Sequence, residues 1–256
     1  MANKLTIEEQ IYCLQYEFDV LAEFITKGHV ERWVHNCISA KIEAEHLERY
    51  QYAMQYAKNK KVLDIAGGSG YGTYLLATEG EANEVHSVDL DEAAVKYADI
   101  KYKHSSIQRK VGNAVTYVQE SYYDLIVSFE TIEHVDDYHT FLDNLYKSLV
   151  KNGSLIISSP VVQHTTHHNL NKYHNIEWSF NDFQKLLQDK FDIQDVYVQS
   201  IILTDDLKDS LFSRIKRKLL NESYVEREKS VFEKYNRQYN PNDIVAGYQM
   251  IHCVKK

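Results

Sequence analysis

Four of the chain's nine glycines, Gly67, Gly68, Gly70 and Gly72, fall within six residues, directly after the apolar run KVLDI and before a helix-compatible stretch. A strand has to turn sharply into a helix there, and the missing Cβ atoms let backbone N–H groups approach a ligand at the helix N-terminus. The next apolar run ends in VHSVDL and puts Asp89 about twenty residues beyond the loop, where a carboxylate can accept both hydroxyl hydrogens of a ribose. Loop and carboxylate together predict an adenosine-containing cofactor. Taken alone, Asp89 also fits a helix N-cap or turn before DEAAVKYA. Asp64, inside the first strand, is costly to bury without a partner. It is expected to order the loop or to meet an ammonium group of the cofactor through water.

The flanking pattern sets the fold class. From Ile7 to about Lys58 apolar residues recur at three- and four-residue spacing, as at Ile11, Leu14, Phe18 and Leu21 and later Ile38, Ile42 and Leu47, with a break near Gly28. KVLDIA, EVHSVDL, SIQRKVG, DLIVSF and SLIISSP then appear as short apolar segments, separated by helical stretches around Tyr74, Ala94 and Leu142. That alternation predicts an α/β fold with a parallel sheet covered by helices. After Pro160 follow a helix near Phe183–Leu187, a strand near Asp195–Leu203, a charge-rich stretch and the closing segment DIVAGYQMIHCVKK. With no repeat and only two prolines, a single domain is expected. Its parts are an N-terminal helical region (1–58), a cofactor-binding core (59–204), a helical insertion (205–242) acting as a lid or a solvated surface helix, and a last edge strand (243–256).

Charge and cysteine usage narrow the function classes. Lys and Arg number 29 against 37 Asp and Glu, a net charge of −8 that disfavours a nucleic-acid partner or an anionic membrane. The basic run SRIKRKLL around Arg214 reads as a solvated helix face. No apolar run approaches the ~20 residues of a membrane span, and MANKLTIEEQIYCLQYEF lacks the apolar core of a secretory signal, so a cytoplasmic location without membrane insertion is expected. Cys13, Cys37 and Cys253 have no metal or disulfide spacing and read as reduced packing thiols. A homodimer is left open.

LDIAGGSG, VDLDEAAVKYA and DLIVSFETIEHV resemble the successive motifs of class I S-adenosylmethionine-dependent methyltransferases, over roughly His46 to Pro160. The usual loop of that family is D-x-G-x-G-x-G; here Ala66 stands at the first glycine, with Gly68 and Gly70 kept. The resemblance implies S-adenosylmethionine as cofactor and a Rossmann-like, doubly wound, mostly parallel seven-stranded sheet with an antiparallel last strand. It assigns Asp64 and the backbone of Ala66, Gly67, Gly68 and Gly70 to the amino-acid moiety, Asp89 to the ribose, and Gly112, Asn113 and Ala114 to the adenine. Leu90 and Ser128 complete the core of candidate cofactor contacts. Upstream, IEAEHLERYQYA is similar to a subgroup found in surface-polysaccharide and sugar modification. In that likeness His46, Arg49 and Tyr50 face the cofactor's carboxylate, Arg49 with two parallel hydrogen bonds. The alternative for Arg49 is an ion pair with Glu45 on a solvated helix.

FETIEHV follows the fourth strand, at the sheet edge where ligands of open α/β folds sit. If it turns into a helix, Glu130, Glu133 and His134 share one face. His134 could then act as general base toward an acceptor hydroxyl or amine. Alternatively the cluster could hold a divalent metal, or serve only as a cap. The E-x-x-E-H spacing resembles that of ubiquinone-pathway and small-RNA 2′-O-methyltransferases, where it goes with magnesium; metal binding is the less favoured reading here. Beyond the fifth strand, QHTTHHNLNKYHNIEW sets His164, His167, His168 and His174 over the same edge. NKYHNIEWSFNDF is similar to a segment bordering the acceptor pocket of sugar-related methyltransferases, which makes His174, Tyr173 and His164 substrate candidates. Trp178 is the alternative core anchor of the following helix, with Asn175 or Ser179 as its cap.

The expectation is therefore methyl transfer to a small polar acceptor, a hydroxyl of a sugar or surface-polysaccharide precursor, with an N-methyl or phosphate-bearing acceptor as the alternative. A nicotinamide oxidoreductase fits poorly, because ETIEHV follows the fourth strand and the region lacks a Tyr-x-x-x-Lys pair. A catalytically silent cofactor-binding partner protein is the reading from another class.

Overall fold

The structure is a computed structural model, and it describes residues 5–27, 33–37, 39–168, 171–204, 231–236 and 238–256. Two helices precede the sheet. In α1 (Ile7–Lys27) Thr6 and Glu9 cap the first turn reciprocally, each backbone N–H donating to the other's side chain at 2.9 and 3.2 Å. α2 (Ala40–Met54) leads into β1 (Lys61–Ile65). Then β1, α3 (Tyr71–Thr78), β2 (Glu84–Asp89), α4 (Glu92–Lys101), β3 (Ile107–Val111), β4 (Tyr123–Ser128), α5 (Tyr138–Ser148) and β5 (Leu149–Val162) alternate as the sequence pattern requires. Further on come the two-residue β6 (Trp178–Ser179), α6 (Phe180–Gln188), β7 (Phe191–Leu203), β8 (Phe232–Lys234) and β9 (Ile244–Lys255).

The strands run in the order β3-β2-β1-β4-β5-β9-β7-β8, with β6 beside β5. β1 to β5 pair in parallel, while β9 is antiparallel to both its neighbours. The sheet thus has nine strands rather than the expected seven, the additions being the short β6 and β8. The last strand is antiparallel as expected, yet it is not an edge strand. It lies between β5 and β7, in register from Ser154↔Val254 to Pro160↔Tyr248 on one side. Met250, Ile251, His252 and Cys253 are all buried, the unbroken run that marks a strand covered on both faces. Of the expected helical insertion, 205–230 lies outside the described residues. The remainder is not helical, since it forms β8 and a 3-10 turn at Pro241–Asp243.

Helices cover both faces. α5 and α6 bury Phe141, Leu142, Leu145, Phe183 and Leu187 against Leu63, Ile126 and Leu155 on one side. α2 and α3 bury Ala53, Leu75 and Leu76 against Val62, Leu125 and Ile156 on the other. Each such side chain withdrawn from water contributes roughly 1.5–3 kcal/mol. Trp178 takes the core alternative, 3% exposed, and Ser179 caps α6 by accepting from the Asp182 N–H. The three cysteines are free thiols, Cys13 and Cys253 buried. Among the described residues no helix is long and apolar enough to cross a membrane.

Candidate active site

The strand order reverses between β1 and β4, and the loops leaving the carboxyl ends of β1 to β4 enclose a cavity of about 770 Å³. Its floor is the glycine loop. Gly70 opens α3 at φ +82°, and a Cβ there would stand 2.4 Å from that of Ala98. Ala66, at the position where the resemblance has glycine, is held at φ 60°, a left-handed conformation that costs an L-residue roughly 1–2 kcal/mol. Asp89 caps the loop from the next strand, accepting from the Gly68 N–H at 2.8 Å with one carboxylate oxygen and from the Asp91 N–H at 2.9 Å with the other.

Beneath the loop, Asp64 is fully enclosed. It accepts from Thr73 Oγ1 at 2.6 Å and from the Tyr50 hydroxyl at 3.2 Å, while burial pushes its pKa up to about 6. Asp64 therefore orders the loop and does not line the cavity, as Ala66, Gly67, Gly68, Asp89, Leu90, Asn113 and Ala114 do. Asn113 turns its side-chain oxygen to the Val115 N–H at 2.8 Å. Gly70 and Ser128 also lie outside the lining, Ser128 fully buried at the end of β4.

An aromatic wall closes the opposite side; the sequence reading named its His46 and Tyr50, which do line the cavity, but not Trp33, Tyr71 or Phe129. Trp33 stacks on His46 at 5.0 Å and meets Tyr71 edge-on at 5.4 Å, and its carbonyl accepts from Ser69 Oγ at 2.5 Å. Phe129 meets Tyr50 edge-on at 5.0 Å. Enclosure under Trp33 pushes the His46 pKa down to about 3, so this imidazole is neutral. Trp33, the first residue of WVHNC, sits in the connection between α1 and α2, where no periodicity marks it.

Arg49 is not brought to the cavity, and it does not pair with Glu45 either. Fully buried, it donates from Nε to Gln199 Oε1 at 2.9 Å, forms an ion pair with Glu130 at 3.4 Å and lies over the Tyr248 ring at 4.7 Å. Its partners come from the turn after β4 and from β7 and β9, all far along the chain, which is why local spacing pointed elsewhere.

The expected one-faced cluster after β4 is likewise redistributed. The segment forms a 3-10 turn, Ile132–His134, and Glu130 takes a left-handed φ of 49° that breaks helical stacking with Glu133. Glu130 is turned to Arg49 and to Ser158 Oγ, which donates to it at 2.6 Å. Glu133 is fully buried, and neither carboxyl oxygen has a hydrogen-bond partner. Burial, reinforced by the nearby Glu130 charge, holds its pKa well above the usual carboxylate range. His134 reaches the cavity wall. Its Nδ1 lies 3.0 Å from the Tyr173 carbonyl, which can only accept, so the neutral ring carries its lone pair on Nε2, 4.0 Å from Glu133.

The loop after β5 is brought in beside it, but only in part. His174 meets His134 edge-on at 4.7 Å, its Nδ1 held by Glu177 at 2.5 Å and its Nε2 by Asn171 at 2.9 Å. Tyr173 contributes its backbone carbonyl rather than its half-exposed ring. His164 is exposed and does not line the cavity. Among the described residues, the three groups whose ligand atoms converge, all within 4.8 Å, are Glu133, His134 and His174, a set that replaces Glu130 with His174.

Residues 57–175 match the family described as a methyltransferase domain. Over 98 residues the chain is 32% identical to the malonyl-[acyl-carrier protein] O-methyltransferase of Priestia megaterium, covering 38% of this chain and 36% of that protein. Over 112 residues it is 30% identical to a probable S-adenosylmethionine-dependent methyltransferase of Mycolicibacterium smegmatis, covering 43% and 42%. The chain thus spans about two fifths of the length of these two relatives. A solved structure, the N-methyltransferase NodS of Bradyrhizobium japonicum in complex with S-adenosylhomocysteine, superposes with a TM-score of 0.59 at 13% identity, covering 95% of this chain and 98% of that one. The fold is that of the class I methyltransferases. Residues 57–175, the stretch that holds the glycine loop, Asp89 and His134, are thus similar to a methyltransferase domain.

Proposed function

We propose that the chain binds S-adenosylmethionine in the cavity between the glycine loop and Asp89 and methylates a hydroxyl of a small, uncharged polar acceptor of the sugar class. The carrying observation is that His134 stands in the wall of the same cavity that Gly68 and Asp89 line, with its Nδ1 tied to a backbone carbonyl. When bound, the cofactor supplies an electrophilic methyl on a sulfonium. Asp89 accepts from the ribose hydroxyls, the loop backbone holds the amino-acid end, and the Trp33–His46 wall excludes water. His134 Nε2 would take the acceptor's hydroxyl proton as the acceptor oxygen attacks the methyl carbon and the carbon–sulfur bond breaks, its electron pair remaining on sulfur. Among the described residues the lining carries Asp89, Asp91, Glu92, Glu130 and Asp136 and neither lysine nor arginine, which favours an uncharged acceptor over a phosphate-bearing one.

A divalent cation is the second reading, favoured by the convergence of Glu133, His134 and His174. The donors fit such a group in part: Glu133 is a buried carboxyl whose oxygens make no hydrogen bond and His134 has its Nδ1 on the Tyr173 carbonyl, whereas His174 would ligate through Nε2 only by giving up Asn171. Two imidazoles and one carboxylate suit zinc, iron or manganese better than the all-oxygen shell of magnesium. Such an ion would lower the pKa of an acceptor hydroxyl.

Turnover against a panel of neutral sugars, amines and sugar phosphates, with and without chelator, separates these readings. His134→Ala is expected to lower kcat with a hydroxyl acceptor by about 10²–10⁴-fold while leaving S-adenosylhomocysteine binding unchanged. Unaltered kcat would remove His134 as the base, and loss of activity on chelation restored by manganese would establish the second reading.

A further inference from the structure

We infer that α1 is the dimerisation element of this protein, pairing antiparallel with α1 of a second copy. Ile7, Ile11, Leu14, Phe18, Leu21 and Ile25 follow one another at intervals of four, three, four, three and four residues, and all are exposed, from 38 to 75%. The face that α1 buries in its own chain is a different one, Cys13, Tyr16 and Val20, packed on Ala94 and Tyr97 of α4. At about 100° per residue the two faces lie nearly opposite. A stripe confined to alternating four- and three-residue steps is the narrow seam of a coiled coil rather than the broader face of a helix lying on a globular core.

The occupant follows from the symmetry of the stripe. Its spacing reads the same in both directions about position 16, so a two-fold axis there sets Ile7 on Ile25, Ile11 on Leu21 and Leu14 on Phe18 of the other copy, and the reverse. Such an interface is self-complementary without any further element. The six side chains expose on the order of 700 Å² per copy, so even burial of a large part of it gives an interface toward the small end of the range for specific pairs. Charge also allows the pairing. Glu17, beside the axis, is already bonded to Lys101 and to Tyr97 at 2.7 Å, Glu9 to Lys103 and Glu23 to Lys27, so no bare like charges face each other there. A lipid surface is a worse match, because the polar flanks carry Glu8, Glu9, Glu17, Asp19 and Glu23 against Lys27 alone.

Light scattering on the eluting full chain at tens of micromolar is expected to give twice the 30.0 kDa chain mass. Leu14→Glu with Phe18→Glu should halve that mass while leaving the melting temperature of the cofactor core and S-adenosylhomocysteine binding in place, since both side chains stand in solvent in the single chain. For the register, Leu14→Cys and Phe18→Cys copies are mixed and oxidised. The mixture should give more crosslinked product than either alone or the wild type, because positions 14 and 18 meet across the axis. A monomeric wild type, a dimer that survives both glutamates, or crosslinking strongest for Leu14→Cys alone would each overturn the proposal. So would a monomer that sediments with vesicles, which would assign the stripe to lipid.

Discussion

The two halves of the cavity are built by different means. On the side proposed for the cofactor the cavity is walled by main-chain groups and one carboxylate, delivered by consecutive strand-to-helix turns; Gly68 and Asp89 meet because β1 and β2 are neighbours in register. On the side proposed for the acceptor the wall is made of side chains fixed by partners far along the chain. His134 is oriented by Tyr173, and Glu130 by Arg49, which is in turn held by Gln199 and Tyr248. One side is written into local backbone geometry, while the other exists only once β5, β7 and β9 have assembled.

The largest effect expected from breaking this difference is at Arg49. Removing one partner of a buried ion pair leaves the other charge unpaired and costs about 3–5 kcal/mol. Arg49→Ala should therefore lower stability by that much in urea unfolding, and adding Glu130→Gln should restore part of it. If Arg49 served the cofactor instead, Arg49→Met would weaken S-adenosylhomocysteine binding with little change in stability.

Asp64 sharpens the cofactor side through pH. Its usual pKa of 3.8 is raised to about 6 in the folded protein, chiefly by burial, so the native state holds this proton more tightly than the unfolded chain. The resulting stability is fully present below pH 3.8 and is lost as pH rises through about 6. At about 1.4 kcal/mol per pH unit the loss amounts to about 3 kcal/mol. Subtracting the stability profile of Asp64→Asn from that of the wild type should isolate this slope; parallel profiles between pH 4 and 6 would contradict it.

The smallest expected effect is a gain. Ala66→Gly relieves a left-handed alanine but adds freedom to the unfolded chain, so a net stabilisation of about 0.5 kcal/mol is expected, read as a melting temperature higher by about 1–2 °C. A lower melting temperature would mean that the alanine methyl packs usefully in the loop.

The contrast also explains what could be read from the chain alone. The order of β1 to β5 rests on short-range patterns and spacing and falls where expected, and the same spacing brings the glycine loop, Asp89 and the Asn113–Ala114 pair to one cavity. The interior place of β9 depends on which strand it joins, although the unbroken run Met250–Cys253 carried a signal that it is buried on both faces. Glu130, Glu133 and His134 were legible as residues but not as an arrangement, since the left-handed φ of Glu130 arises where Arg49 and Ser158 capture its carboxylate. In α1 the periodic stripe correctly foretold a helix, whereas the buried side proved to be the less apolar Cys13, Tyr16 and Val20.

Isothermal titration of the purified full chain with S-adenosylhomocysteine, beside NAD(H) and the Asp89→Ala variant under the same conditions, tests the central claim that the glycine loop and Asp89 form the cofactor site. The account predicts one site of micromolar affinity for S-adenosylhomocysteine, no heat from the nicotinamide, and about 10- to 100-fold weaker binding in the variant, the loss of charged hydrogen bonds worth roughly 1.5–3 kcal/mol. Binding of the nicotinamide instead, or S-adenosylhomocysteine binding that ignores Asp89, would contradict it.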